Sequence, residues 1–350
     1  MIKVVQIGCG KMSKYIMRYI YEKGGVVVGA FDVCSDLIGK DIGEIMEVDN
    51  KSVKIQSIDL LDAFLKKTDV DVAIITTMSF LNDIEEVTRT CVKNSVNVLT
   101  TCEEAFFAQN SNPNLYQELD ALAKAFHCTI TGCGYQDIFW GNMVTSVCSS
   151  THRITKIKGI SSYNVEDYGI ALANAHGAGM SIEQFEKEIA VLNGISEKEK
   201  EELIQNRQFF PSYMWNVVGW LADKLGLHLS KIEQECVPVI ANEELVSETL
   251  GITLNSGDVR GMNAIVRGIT LENILIEVEC IGKVYTKDES DMNEWIVFGE
   301  PTTKVANEKP CTVELTCADV VNRIPQIIKM RSGFVSTSEY PEAKYIVGLF

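Results

Sequence analysis

The sequence predicts an α/β protein: a doubly wound parallel sheet at the N-terminus, followed by an α+β domain with a mostly antiparallel sheet. Three observations predict it. A short apolar run ends in Gly8-Cys9-Gly10 and leads into a helix-period stretch. Apolar strand-like runs then alternate with helical ones as far as Gly132, the order of a parallel sheet covered on both faces. Beyond about residue 140 the order changes to charged helices, then to strands that alternate apolar and polar residues.

Residues 2–7 read as the first strand. The stretch 12–22 places Ile16, Tyr19 and Ile20 on one helical face, and Gly24-Gly25 stops it. A buried strand over 26–31 ends at Asp32, completing the strand–turn–helix–strand unit of a Rossmann-type nucleotide-binding half. Next come a helix at 60–67, a strand at 72–75 and a helix at 82–94. Asn82 is the expected cap of that helix, with Asp83, Glu85 and Glu86 in its first turn. A strand at 96–99, a helix at 113–126 opened by Pro113 and a last strand at 129–131 finish the first domain. Helices follow at 181–192, 197–208 and 215–225, then strands at 236–241, 261–270, 274–282 and 294–299. A last helix at 318–329 is expected to return to the first domain. The predicted organisation is therefore 1–140 for dinucleotide binding, 141–315 for substrate and dimerisation, and 316–350 for the returning helix and tail.

The chain has 350 residues, 46% hydrophobic and 23% charged, a globular composition that excludes disorder. A net charge of −16, from 32 basic and 48 acidic residues, argues against a nucleic-acid partner. No apolar run approaches the ~20 residues of a membrane helix. The N-terminus lacks a basic leader region, so a cytoplasmic protein with no membrane partner is expected. The eleven cysteines contain no CxxC pair. They read as reduced, buried thiols, and no metal site is expected.

The strongest local signal is Gly8-Cys9-Gly10-Lys11-Met12-Ser13. Its first glycine turns the chain off the strand, and its second lets a pyrophosphate approach the helix start. Gly8, Cys9, Gly10, Lys11 and Met12 are thus candidate cofactor contacts. Asp32 ends the second strand, where a carboxylate accepts from ribose hydroxyls and repels a 2′-phosphate. This favours NAD, with NADP possible. Thr76 and Thr77 follow the fourth strand, and Cys102 the fifth, at the edge where the ribose and pyrophosphate lie. Glu103 and Glu104, just beyond, are the candidate catalytic acids. Alternation sends them in opposite directions, one toward chemistry and one toward helix capping.

Gly132-Cys133-Gly134-Tyr135-Gln136-Asp137-Ile138-Phe139-Trp140 marks the crossover. Tyr135, Gln136 and Trp140 suit a small amphipathic ligand. In the second domain His176, beside a flexible glycine pair, could move a proton. Arg260, Asn263 and Arg267 could hold a carboxylate.

These pieces, with Ala105 after the two acids, His176-Gly177-x-Gly179, Asn322-Arg323-Ile324-Pro325 and Gly333-Phe334-Val335, occur in an order that resembles the family of 2,4-diaminopentanoate dehydrogenases and native amine dehydrogenases. That family shares a dihydrodipicolinate-reductase-like architecture. The resemblance spans essentially the whole chain. The His-His pair and Lys-x-x-x-Ser-Gly-Thr segment of dihydrodipicolinate reductase itself are absent. The resemblance implies NAD(P)-dependent oxidative deamination of the C4 amine of a diamino acid, 2,4-diaminopentanoate, in anaerobic ornithine breakdown, by a homodimer. It implies a catalytic acid after the fifth strand, favouring Glu103 with Glu104 its rival. It implies substrate contacts from Gln136, Trp140, Asn164, Tyr168 and His176, and more weakly from Asn263 and Arg267. The alternatives are another amine or amino-acid dehydrogenase of this architecture, or an NAD-binding sensor without catalysis.

Overall fold

The computed structural model describes residues 1–168 and 170–349. In chain order the elements are β1 (Lys3–Ile7), α1 (Lys11–Glu22), β2 (Val26–Asp32), α2 (Ile42–Met46), β3 (Ile55–Ser57), α3 (Leu61–Leu65), β4 (Val72–Ile75), α4 (Leu81–Lys93), β5 (Asn97–Thr100), α5 (Pro113–Ala125) and β6 (Thr129–Gly132). There follow α6 (Met143–Cys148), β7 (Arg153–Asn164), α7 (Ile170–Ala175), α8 (Ile182–Glu188), α9 (Glu197–Gln205), α10 (Tyr213–Leu225), β8 (Leu229–Ile240), β9 (Leu245–Ser247) and β10 (Ile252–Leu254). The chain ends with β11 (Val259–Thr270), β12 (Leu275–Lys283), β13 (Met292–Glu300), β14 (Thr303–Glu308), α11 (Thr312–Ile327) and β15 (Gly333–Phe334). The chain forms two compact units. One comprises residues 1–142, 204–208 and 311–350, the other 143–203 and 209–310.

The first unit is a seven-stranded sheet in the order β15-β6-β5-β4-β1-β2-β3, parallel throughout. Alternation along each strand divides the core into two layers. Val5, Ile7, Ala73, Ile75, Val98 and Ile130 pack with Ile84, Cys91, Leu115 and Leu119 of α4 and α5. Val4, Val72, Ile74 and Leu99 pack with Ile16, Ile20, Val320, Val321 and Ile324 of α1 and α11. Strands covered on both faces have no wet side, so β4 is four buried apolar residues in a row. The strand order reverses between β1 and β4, the switch point where such sheets bind ligands at their carboxyl edge.

The second unit carries a six-stranded sheet, β14-β13-β7-β12-β11-β8. Its neighbours are antiparallel except β12 and β7, which run parallel. Helix α10 presses on it where Gly268 stands, since a Cβ there would sit 2.4 Å from Val218 Cγ1.

The structure departs from the sequence expectation in several places. The parallel sheet has two further strands, β3 and β15, of three and two residues, too short to show periodicity. Strand β7 was not foreseen, because its lysines and serines dilute the apolar alternation. Asn82 does not cap α4. The helix starts one residue earlier, after Phe80, and the Asn82 amide instead donates to Arg207 O at 2.9 Å and accepts from Asn112 at 3.1 Å.

Candidate active site

The carboxyl edge of the first unit holds the glycine turn. Gly8 has φ +86°, and a Cβ there would meet Thr77 Cγ2 at 2.7 Å. Only glycine fits this conformation and this approach. Gly10, by contrast, has open space where its Cβ would lie. It caps α1 without a side-chain acceptor, and no acid stands in the first turn. The positive end of the helix is thus open to a ligand anion. These residues fit a dinucleotide pyrophosphate.

Asp32 supports the same reading. One carboxylate oxygen accepts from Cys9 N at 2.6 Å and the other from Cys34 N at 2.8 Å. The two bonds aim the half-buried carboxylate along the edge. Cys9 itself turns inward, its thiol 3.6 Å from Phe31 O, and Lys11 and Met12 follow on α1.

The two threonines divide the work. Thr77 is exposed beside Gly8. Thr76 Oγ1 donates to Gly8 O at 3.0 Å and accepts from Gln6 Nε2 at 2.9 Å. Its hydroxyl therefore braces the turn from within. Gln6, fully buried on β1, also donates to Gly8 O at 2.9 Å. The sequence reading missed Gln6. The signal was an amide in an otherwise apolar strand, where it must find internal partners. Cys102 is fully buried, with its thiol on Ser79 O at 3.1 Å. Its thiol is turned into the apolar layer, away from the sheet edge where Thr77 is exposed.

The two acids after β5 separate cleanly. Glu104 is buried; one oxygen accepts from Leu81 N at 2.7 Å and the other from Ser111 Oγ at 2.9 Å. It is the cap of α4. Glu103 is half-buried and accepts from the Ser79 hydroxyl. Burial raises both carboxyls above the ordinary range for glutamate.

The crossover segment carries an aromatic group. Tyr135 stacks on Phe139 at 4.6 Å and meets Trp140 edge-on at 5.9 Å. The Trp140 indole N–H is buried without an acceptor. Gln136, also buried, reaches Cys133 O at 3.4 Å.

In the second unit, His176 Nδ1 lies 2.8 Å from Leu172 O, so Nδ1 carries the proton. Burial lowers its pKa and keeps the ring neutral. Nε2 then accepts from the Tyr163 hydroxyl at 2.6 Å. Tyr163 also meets Tyr168 edge-on at 5.7 Å. Gly282 makes room for this group, since a Cβ there would lie 2.4 Å from His176 Cδ2. Asn164 follows Tyr163, its side-chain oxygen accepting from Glu166 N at 3.3 Å. The sequence pointed to His176, Tyr168 and Asn164, but not to Tyr163 and Gly282 as their partners.

Asn263 and Arg267 are not part of this group. Gly282 pairs with Met262 and Asn263 with Ile281, so alternation puts Asn263 and Arg267 on the opposite face of the sheet from His176. There Asn263 donates to Glu279 at 3.1 Å, and Arg267 pairs with Glu277 at 3.2 Å. Arg260 is occupied as well, with Glu289 at 2.6 Å. Arg267 also lines a cavity of ≈ 520 Å³ with Lys200, Trp215 and Lys231. Lys200 and Lys231 in that cavity are paired with Glu197 and Glu233.

Among the described residues no cluster of three or more His, Cys, Asp or Glu is arranged to hold a metal, and no helix is long and apolar enough to cross a membrane.

Compared with known proteins, residues 139–350 match the family of the 2,4-diaminopentanoate dehydrogenase C-terminal domain, and residues 2–104 that of the dihydrodipicolinate reductase N-terminus. The 2,4-diaminopentanoate dehydrogenase of Acetoanaerobium sticklandii is 23% identical over 358 aligned positions, covering 100% of this chain and 96% of that protein. A solved amine dehydrogenase from Mycobacterium smegmatis is 34% identical with a TM-score of 0.87, over 99% of this chain and 98% of the other. The redox-sensing transcriptional repressor Rex of Caldicellulosiruptor saccharolyticus is 36% identical over 75 residues, 21% of this chain and 31% of the repressor.

Proposed function

The chain belongs to the 2,4-diaminopentanoate dehydrogenase family, and from that premise we propose that it oxidises the C4 amine of 2,4-diaminopentanoate, giving 2-amino-4-oxopentanoate and ammonium in ornithine breakdown. It is an NAD(P)-dependent oxidoreductase acting on amines. When bound, NAD(P)+ accepts the hydride from the carbon that bears the amine.

The amine arrives as an ammonium, whose pKa of ~10 resembles that of lysine. Its carbon can release hydride only once the nitrogen has a lone pair. Glu103 takes that proton and passes it to solvent. As a carboxylate it then faces the substrate iminium and deprotonates the attacking water. In sum, substrate ammonium, oxidised cofactor and water give ketone, reduced cofactor, ammonium and one proton. Tyr135, Gln136 and Trp140 are the proposed substrate contacts of the first unit.

One observation carries the choice of base: both Glu104 oxygens are engaged, one by the Leu81 N–H at the start of α4 and the other by the Ser111 hydroxyl. Burial that raises the Glu103 pKa brings it nearer to working pH, as a general base requires.

The proposed partner is a second copy of this chain. On the sheet of the second unit, the face opposite α10 alternates Ile160, Ile265, Ile281 and Ile296 with ion pairs such as Lys156–Glu277 at 2.8 Å. A half-exposed face of this kind suits a two-fold interface, and the mass in solution tests it. Free thiols at all eleven cysteines, nine of them buried, support a reducing cytoplasm as the proposed location.

The deciding experiment incubates the protein with NAD+ or NADP+ and 2,4-diaminopentanoate, other diamino acids or simple amines. Cofactor reduction is followed by absorbance and the product by mass spectrometry. Reduction with 2,4-diaminopentanoate and formation of 2-amino-4-oxopentanoate is the expected result. Reduction by simple amines alone would move the substrate. NAD+ binding without reduction by any amine would remove the reaction.

A further inference from the structure

An arginine and two aspartates meet in the interior of the first unit. Helix α11 turns Val320, Val321, Ile324 and Ile327 into the core, and Asp319 and Arg323 go in with them. Arg323 is 1% exposed and Asp137 fully buried. Arg323 Nε donates to Asp137 Oδ2 at 2.6 Å and lies 3.9 Å from Asp319 Oδ1. Nη1 reaches Gln326 at 2.6 Å and Pro341 O at 3.4 Å, and Cζ lies 5.6 Å from the Tyr340 ring centre.

The cluster grips the crossover segment by its backbone. Asp319 Oδ2 accepts from Gly134 N at 3.1 Å, and Thr316 Oγ1 accepts from Tyr135 N at 3.2 Å. Asp137 itself opens the π-helical turn Asp137–Asn142 that carries Trp140. Its Oδ1 accepts from Asn142 Nδ2 at 2.9 Å. Such turns within helical segments are frequent at functional sites.

We propose that Arg323 is a positioning residue for the segment bearing Tyr135, Gln136 and Trp140, acting through Asp137 as a carboxylate and Asp319 as a neutral carboxylic acid. Two ionised acids against one guanidinium would leave a net negative charge buried, which a protein interior does not tolerate. One proton removes it. Asp137 has the short charge-assisted bond to the guanidinium and accepts at its other oxygen, so it is the ionised partner. Asp319 stands farther from the guanidinium, its Oδ1 3.9 Å from Arg323 Nε, so it is the acid that keeps the proton. Burial, with Asp137 beside it, pushes the Asp319 carboxyl far upward. Cys133 and Tyr340, the other titratable groups facing the cluster, are neutral for the same reason.

The kinetic part of the test rests on the amine oxidation proposed above; the spectroscopic and exchange parts do not. The variants are D319N, an isostere of the neutral acid, and D137N, which leaves the guanidinium without its counter-ion. D319N is expected to stay within about twofold of wild type in kcat and KM. It should lose a carboxylic-acid C=O band from the infrared difference spectrum at pH 7. D137N is expected to lower kcat/KM for 2,4-diaminopentanoate about 10²-fold, the scale of a small misplacement of substrate-holding groups. Its NAD+ dissociation constant should hold within about twofold, which a general loss of structure would not allow. Amide hydrogen exchange at Gly134 and Tyr135 should quicken in D137N and not in D319N.

An acid band that survives in D319N, or a D319N as damaged as D137N, overturns the proton assignment. A D137N with unchanged exchange at Gly134 and Tyr135, or with NAD+ and amine constants shifted together, overturns the positioning role. If D137N does not fold, R323K takes its place with the same expectations. A wild type that oxidises no amine refutes the reaction, while the infrared and exchange results still decide the cluster.

Discussion

The Glu104 carboxylate accepts the Leu81 backbone N–H at 2.7 Å, so an acid that follows β5 forms the cap of α4. Its neighbour Glu103 is relieved of that duty. Exchanging each tests the division. Glu104→Ala removes the carboxylate that the Leu81 N–H and the Ser111 hydroxyl donate to, and should cost about 1–2 kcal/mol of stability. Glu103→Gln should leave the unfolding temperature near wild type and cut turnover by ~10²–10⁴. Thermal unfolding and steady-state rates, measured on both variants, check it. The reverse pattern would exchange their roles.

The glycines of the turn should fail differently. Gly8→Ala puts a side chain at φ +86° and against Thr77. It should cost about 1–3 kcal/mol in strain alone and lose NAD+ binding as well. Gly10→Ala meets no neighbour, so stability should hold. NAD+ affinity should drop at least ~10-fold, about 1.4 kcal/mol, because the methyl occupies the path of the pyrophosphate. Paired denaturation and NAD+ titration would show this; equal losses in both variants would refute it.

Asp32 bears on cofactor choice. Its carboxylate is held by two backbone N–H groups, so the charge stays at the strand end. Asp32→Ala should weaken NAD+ by about 10–100-fold, the worth of a charge-assisted hydrogen bond, and improve NADP+ relative to NAD+. The ratio of kcat/KM for the two cofactors measures it. An unchanged ratio would place the ribose elsewhere.

His176 gives a pH dependence with a definite sign. Burial lowers its folded pKa below the ordinary imidazole value of 6.5. Below that value the unfolded chain binds a proton that the folded chain refuses. The contribution of His176 is therefore present above pH ~6.5 and lost as pH falls toward the folded pKa. Wild type should lose stability between pH 7 and 5 more steeply than His176→Gln, in urea unfolding at each pH. Parallel slopes would mean that the folded protein takes up a proton at His176 as readily as the unfolded chain does.

Much of this protein was legible from local pattern. The run into Gly8-Cys9-Gly10, the helix after it and Asp32 at the end of β2 are neighbours along the chain, and their periodicity shows at once. The same holds for β4, whose unbroken apolar run announces a strand covered twice. What escaped was decided by partners far away in sequence. Asn82 has the chemistry of a cap, yet Glu104 reaches the helix end across 23 residues. Asn263 and Arg267 are good carboxylate binders in isolation, but the pairing of β11 with β12 turns them to the face opposite His176.

By itself the amino-acid order determined the layers of the nucleotide-binding unit and the place of its glycine turn. Burying an apolar stripe depends only on spacing within one element. Tertiary structure alone decided which of two adjacent acids is tied up and which aspartate faces Arg323, across 186 residues. A polar group removed from water takes whichever partner the packed fold brings within hydrogen-bond reach, and spacing along the chain does not encode that distance.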